Sequence, residues 1–127
     1  MPADEVLLSG AGKGVKVRTY RSEGGTITFR VRKGKVTGFR GHDLRVTCQP
    51  PGDLAVHYTA TLRFPTTTIA RSGIADDAEE YAKGDAWYNS WLEMKISGRR
   101  ATKGHFAYVS AGSCRASEDF TARRMGR

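Results

Sequence analysis

Apolar and polar residues alternate with a period of two along most of the chain, which is the pattern of half-buried β-strands. In the segment TITFRVR, Ile27, Phe29 and Val31 share one face, whereas the residues between them are threonine and arginine. The Lys-Gly pair that follows predicts a tight turn, and KVTGFR predicts the returning strand. This region is therefore expected to form a β-hairpin.

The alternation continues through later segments that are bounded by turn residues: DLRVTC, AVHYTATLRF, WYNSWLEMKISG, HFAYVSAG and DFTARRM. Many short strands with turns every eight to twelve residues are typical of sandwiches and barrels. We therefore predict a single all-β domain over residues 15–127, an antiparallel β-sandwich or barrel of about seven to nine strands. Residues 1–14 are rich in glycine and poorly patterned, and they are expected to form a loose segment.

One short helix is predicted in the segment DDAEEYAKG. Asp77 is placed to cap its start, Glu80 to complete a capping box, and Gly84 to end it. Two helical turns are too short to stand alone, so this helix is expected to pack on the sheet.

The segment KGHFAYVS resembles the aromatic strand of RNA-binding domains, whose alternate rings stack on bases. His105, however, separates the glycine from the first aromatic residue and moves every later side chain to the opposite face. The chain also offers only one short helix, whereas that fold needs two of ordinary length. Phe106 and Tyr108 are therefore expected to pack in the core.

The tryptophan-containing strand offers a candidate binding face. Alternation places Trp87, Asn89, Trp91 and Glu93 on one side of it. Two indoles beside an amide and a carboxylate can stack on sugar rings and hydrogen-bond their hydroxyl groups. The alternative is that the short helix covers both indoles as a second small core.

Charge suggests a second candidate surface, since 21 basic and 13 acidic residues give a formal net charge of +8. Between Gly24 and Gly41 the chain has no acid and carries five basic residues: Arg30, Arg32, Lys33, Lys35 and Arg40. Such a patch can bind sulfate, phosphate or carboxylate groups. It equally fits a charged strand that blocks edge-to-edge aggregation.

The two cysteines, Cys48 and Cys114, allow three interpretations: one disulfide, two buried thiols or a catalytic thiol. Cys48 shares an apolar face with Leu44 and Val46, and Cys114 follows an aromatic strand. Two inward cysteines on different strands favour a bridge, and a bridge would indicate an oxidising compartment.

Neither a metal site nor a cofactor is expected. His42, His57 and His105 lie singly, without the spacing of zinc ligands. The acidic run beginning at Asp76 fits the positive end of a helix dipole better than a calcium loop. We expect no catalytic residue and predict that the protein is not an enzyme.

An ordered set of segments carries a family resemblance: TYRSEGGTITFRV, GKVTGF, VTC, IARSG, ISGRRATKGHFAYV and CRASEDFTARR. Together they resemble the small disulfide-stapled all-β domain of secreted and cell-envelope actinobacterial proteins, which has no assigned function. The resemblance implies a sandwich or barrel, a bridge between Cys48 and Cys114, and an extracytoplasmic location. It carries over no catalytic residue, and the chain departs from the family in the segment DDAEEYAKGDAWYNSW.

The expected function is that of a non-catalytic binding or interaction module of the cell envelope or extracellular space. Its expected partner is a cell-wall or extracellular polysaccharide, or a protein; the alternative is nucleic acid or another polyanion bound by the basic hairpin. No apolar run approaches the roughly 20 residues of a membrane helix. The first residues lack the features of a secretory leader, so a secreted location requires that the leader is absent from this chain.

Overall fold

The computed structural model describes residues 16–111 and 113–126, so the prediction for residues 1–14 lies outside the described part of the chain. The described residues form an all-β fold, as predicted, with nine strands and one short 3-10 turn at Glu23–Gly25. The strands are β1 Arg18–Ser22, β2 Ile27–Arg32, β3 Lys35–Cys48, β4 Val56–Phe64, β5 Thr67–Thr68, β6 Ile74–Lys83, β7 Ala86–Ser97, β8 Arg100–Ser110 and β9 Cys114–Arg124.

The strands form one antiparallel sheet in the order β4-β3-β2-β1-β9-β8-β7-β6, and β5 pairs with β3. An isolated bridge between Ile69 and Ala75 joins the segment after β5 to the start of β6. The far end of β3 also pairs directly with β9. These pairings run in a closed circuit, so the sheet curls around a single core as a barrel does.

The core is built from the inward residues that the alternation predicts. Ile27 and Phe29 are fully buried, and Val31 packs against them from the same face of β2. Phe106 is also fully buried, and Tyr108 packs against the core, which confirms the interpretation of KGHFAYVS as a core strand.

The predicted helix is wrong, because the acidic segment forms strand β6 instead. It pairs with β7 at ten consecutive positions, from Ile74 opposite Lys95 to Lys83 opposite Ala86. Gly84, with φ of 60°, begins the two-residue turn of this hairpin rather than ending a helix. A ladder of this length satisfies more backbone groups than two isolated helical turns, and it outweighs the capping signals.

A disulfide joins Cys48 of β3 to Cys114 of β9, at directly paired positions whose Cα atoms are 3.9 Å apart. The interpretation as a bridge is therefore confirmed, and the alternatives of buried free thiols and a catalytic thiol are wrong. Among the described residues, no helix has the length and apolar character needed to cross a membrane.

Candidate functional site

The β7 face carries the four sequence-predicted residues together. Trp87, Asn89, Trp91 and Glu93 point outward from the sheet, because the residues that alternate with them turn towards the core. Trp87 and Trp91 are 43% and 42% exposed. The alternative that a helix covers both indoles is therefore wrong, and we call this surface the tryptophan face.

Small neighbours flank the two indoles on the adjacent strands. Trp91 lies between Ala78 of β6 and Ala107 of β8, and Trp87 lies opposite Ala82 of β6. Since alanine has only a methyl group, these directly opposite residues are too small to cover the faces of the indole rings. The two tryptophans are four residues apart on one strand, which corresponds to roughly 13 Å.

Polar groups border the indoles. Asn89 lies between Glu80 and Val109 in the register, so its amide separates the two rings. Glu93 is opposite His105 of β8, which in turn is opposite Asp119 of β9. The Nδ1 atom of His105 and the Oδ1 atom of Asp119 are 2.6 Å apart.

His105 and Asp119 were missed as neighbours of the tryptophan face, because only the register between strands brings them there. Alternation within one strand assigns each residue to a face, but it gives no information about which residue lies beside it on the next strand. The alternation along β7 therefore identified the four residues of its own outer face. It could not identify His105 of β8 and Asp119 of β9 as their neighbours.

Three stacked tyrosines support the hairpin from its opposite face. The ring centroids of Tyr81 and Tyr88 are 5.3 Å apart, and those of Tyr88 and Tyr108 are 5.7 Å apart. Partial burial, followed by the nearby Glu79 carboxylate, raises the pKa of Tyr88 above its ordinary value of 10.0. This stack extends from the core along the hairpin, on the face opposite the tryptophans.

The basic hairpin also has the predicted arrangement. Its five residues are exposed, and Arg32 of β2 lies directly opposite Lys35 of β3, next to the turn at Lys33. Arg40 lies opposite Thr28 on one side and Arg63 of β4 on the other. The structure therefore brings the predicted basic residues onto one surface and adds Arg63, which the hairpin sequence does not contain.

A second group of arginines was missed by sequence reasoning. Arg123 of β9 lies directly opposite Arg21 of β1 and Arg100 of β8. These three residues are far apart in the chain, so no local motif could indicate their proximity.

The described residues contain no group of three or more histidine, cysteine, aspartate or glutamate side chains that could hold a metal ion. No protein-family model, curated protein or solved structure matches this chain. Its functional interpretation therefore depends on the surfaces themselves.

Proposed function

We propose that this protein is a non-catalytic binding module whose tryptophan face holds a polysaccharide. The observation that supports the proposal is the pair of indoles, each more than 40% exposed on one face of a sheet with alanine at their sides. Exposed apolar side chains that share one face are typical of surfaces that contact a partner.

The chemistry of the face fits a sugar chain better than a compact ligand. The apolar face of a sugar ring stacks on an indole, while its hydroxyl groups donate hydrogen bonds to a carboxylate and exchange them with an amide. Asn89 and Glu93 lie beside the rings as such partners. The surface is an open sheet rather than a closed pocket, so an extended polymer can lie along it.

An extracellular or cell-envelope location is part of this proposal. The disulfide between Cys48 and Cys114 is compatible with an oxidising compartment. The resemblance to a secreted actinobacterial domain supports the same location.

The test is a titration of the protein with a panel of neutral and acidic polysaccharides, in which tryptophan fluorescence reports binding. We expect saturable binding, and we expect Trp87→Ala or Trp91→Ala to weaken it roughly tenfold or more, as for an interface hot spot. Tyr58→Ala is the matched control, because Tyr58 is a 49% exposed aromatic residue on the distant strand β4. Failure of the panel to bind, or equal binding by all three variants, would contradict the proposal.

A polyanion bound by the basic hairpin is the second candidate function. It is supported by the like-charged pairs Arg32–Lys35 and Arg40–Arg63, which have no ion-pair partner among the described residues. If several phosphates are neutralised, affinity for a generic duplex falls steeply with salt concentration. Binding that is absent at low salt excludes this candidate, whereas binding to a neutral glycan that is insensitive to salt favours the tryptophan face.

A further inference from the structure

Three arginines meet on the outer face of neighbouring strands at one end of the sheet. The register places Arg123 of β9 between Arg21 of β1 and Arg100 of β8, with both neighbours at directly opposite positions. Like charges at opposite positions of a sheet are destabilising. Three of them in a row therefore leave unbalanced positive charge at this place in the sheet.

No described residue forms an ion pair with these guanidinium groups. Within residues 16–111 and 113–126, none of the three arginines forms an ion pair or donates a side-chain hydrogen bond. Each guanidinium has five N–H donors in a fixed planar arrangement. The group therefore offers many donors that are unused within the described part of the chain.

The three arginines line a surface cleft of about 600 Å³, together with Glu23 and Thr121. Three arginines and one glutamate give the cleft a formal charge of 3 − 1 = +2. A doubly charged anion would match this charge, and the Thr121 hydroxyl adds one more donor.

The glycine turn that follows β1 leaves room for the Arg21 guanidinium group. A Cβ atom at Gly25 would lie 2.8 Å from one terminal nitrogen of the Arg21 guanidinium and 2.9 Å from its Nε atom. Gly25 also has φ of 80°, a conformation that favours glycine. The absence of a side chain at this position lets the Arg21 guanidinium lie against the turn at the wall of the cleft.

We propose that this cleft is a binding site for a tetrahedral oxyanion, a sulfate or phosphate group that is either free or carried as a monoester. A planar carboxylate has two oxygens and pairs well with one or two guanidinium groups. Sulfate and phosphate present oxygens in three or more directions, so three arginines on three strands can bind one group together.

The cleft is separate from the tryptophan face. Arg100 begins β8, whereas Ala107, which lies beside Trp91, is seven residues further along the same strand. Seven residues of β-strand span roughly 23 Å. The oxyanion site therefore neither requires nor excludes a polysaccharide on the tryptophan face.

The experiment is calorimetric titration at constant ionic strength with inorganic sulfate, inorganic phosphate, glucose 6-phosphate and acetate. The unchanged protein is expected to bind the tetrahedral anions saturably and acetate at least tenfold more weakly. Arg123→Gln is expected to lose at least tenfold in affinity, and Arg123→Lys to lose affinity as well, because the planar donor arrangement is lost while the charge remains. Tighter binding of the sugar phosphate than of inorganic phosphate would indicate an esterified ligand, and equal binding would indicate the free ion.

Arg115→Gln is the matched control, since Arg115 is an exposed arginine of the same strand, β9, but lies outside the cleft. The midpoint temperature of thermal unfolding shows whether a variant has lost only the anion site or has lost stability of the whole fold. Without anion, Arg123→Gln is expected to melt no lower than the unchanged protein, because a repulsion is removed. Added sulfate is expected to raise its thermal midpoint less than it raises that of the unchanged protein. Equal losses for Arg115→Gln and Arg123→Gln, equal affinity for acetate, or no binding by the unchanged protein would each overturn the proposal.

Discussion

Gly104 of β8 is required by the ring of Phe120 on the neighbouring strand. The two residues are directly opposite in the β8–β9 register, and both are buried. A Cβ atom at Gly104 would lie within 2.6 Å of three ring carbons of Phe120. The backbone of Gly104 does not lie in the left-handed region, so the constraint is purely steric. An aromatic ring lying across a glycine is a known way to cover the weak point that glycine creates in a strand.

We expect Gly104→Ala to lower the free energy of unfolding by about 1–3 kcal/mol, the usual cost of overpacking a core. Urea denaturation measures this change. The double variant Gly104→Ala/Phe120→Leu is the control, because the smaller side chain leaves room for the methyl group. Its loss should be smaller than the sum of the two single losses, and strictly additive losses would show that the two side chains do not interact.

The sequence predicts correctly which face of its own strand a residue occupies. It does not predict which residue of a neighbouring strand lies beside it. Alternation placed Phe29 inside and Trp91 outside, and the structure agrees. The same information could not indicate that Phe120 lies over Gly104, or that Arg123 meets Arg21. Those contacts depend on strand register, and register follows from the packing of the whole sheet.

At the scale of the element, β6 shows how pairing overrides local sequence preference. Its segment contains four acids and three alanines, a composition that suits a helix better than a strand. From Asp76 onward, however, its only described partner is β7, and the pairing continues to the hairpin turn. The tyrosine stack on one face and the tryptophans on the other provide the cross-strand contacts that stabilise the strand.

The acids of β6 have a second consequence, since an edge strand exposes unpaired backbone groups. Charged side chains on such an edge prevent it from pairing with another molecule. We expect Asp77→Asn/Glu80→Gln to increase self-association with protein concentration, measured by sedimentation or light scattering. The control Asp43→Asn/Asp53→Asn makes the same change in net charge at exposed positions away from β6. If both double variants associate equally, net charge rather than the edge is responsible.

At the scale of the whole molecule, charge is divided between two regions. Residues 16–48 contain nine basic and two acidic residues, whereas residues 74–93 contain six acidic and one basic residue. Residues 16–48 form β1 to β3, which carry the basic hairpin and one side of the arginine cleft. Residues 74–93 lie in the β6–β7 hairpin. An anionic partner will therefore approach the β1–β3 side preferentially, and the tryptophan face lies in the acidic region.

The disulfide links two strands that are far apart in the chain. The chain-entropy model predicts that a cross-link stabilises by restricting the unfolded chain, and more so for a longer loop. Cys48 and Cys114 are separated by 66 residues, and their bridge joins the end of β3 to the start of β9. The loop between them contains β4 to β8, so the bridge holds both ends of more than half of the sheet.

We therefore expect Cys48→Ser/Cys114→Ser to lower the free energy of unfolding by about 4 kcal/mol. Both cysteines are replaced, because a single substitution would leave a reactive thiol. Urea denaturation of this variant should match that of the unchanged protein in the presence of reductant, since both lack the same covalent bond. A loss well below 1 kcal/mol would mean that the pairing of β3 with β9 already holds these ends together in the unfolded ensemble, and the bridge would then contribute little to the closure of the sheet.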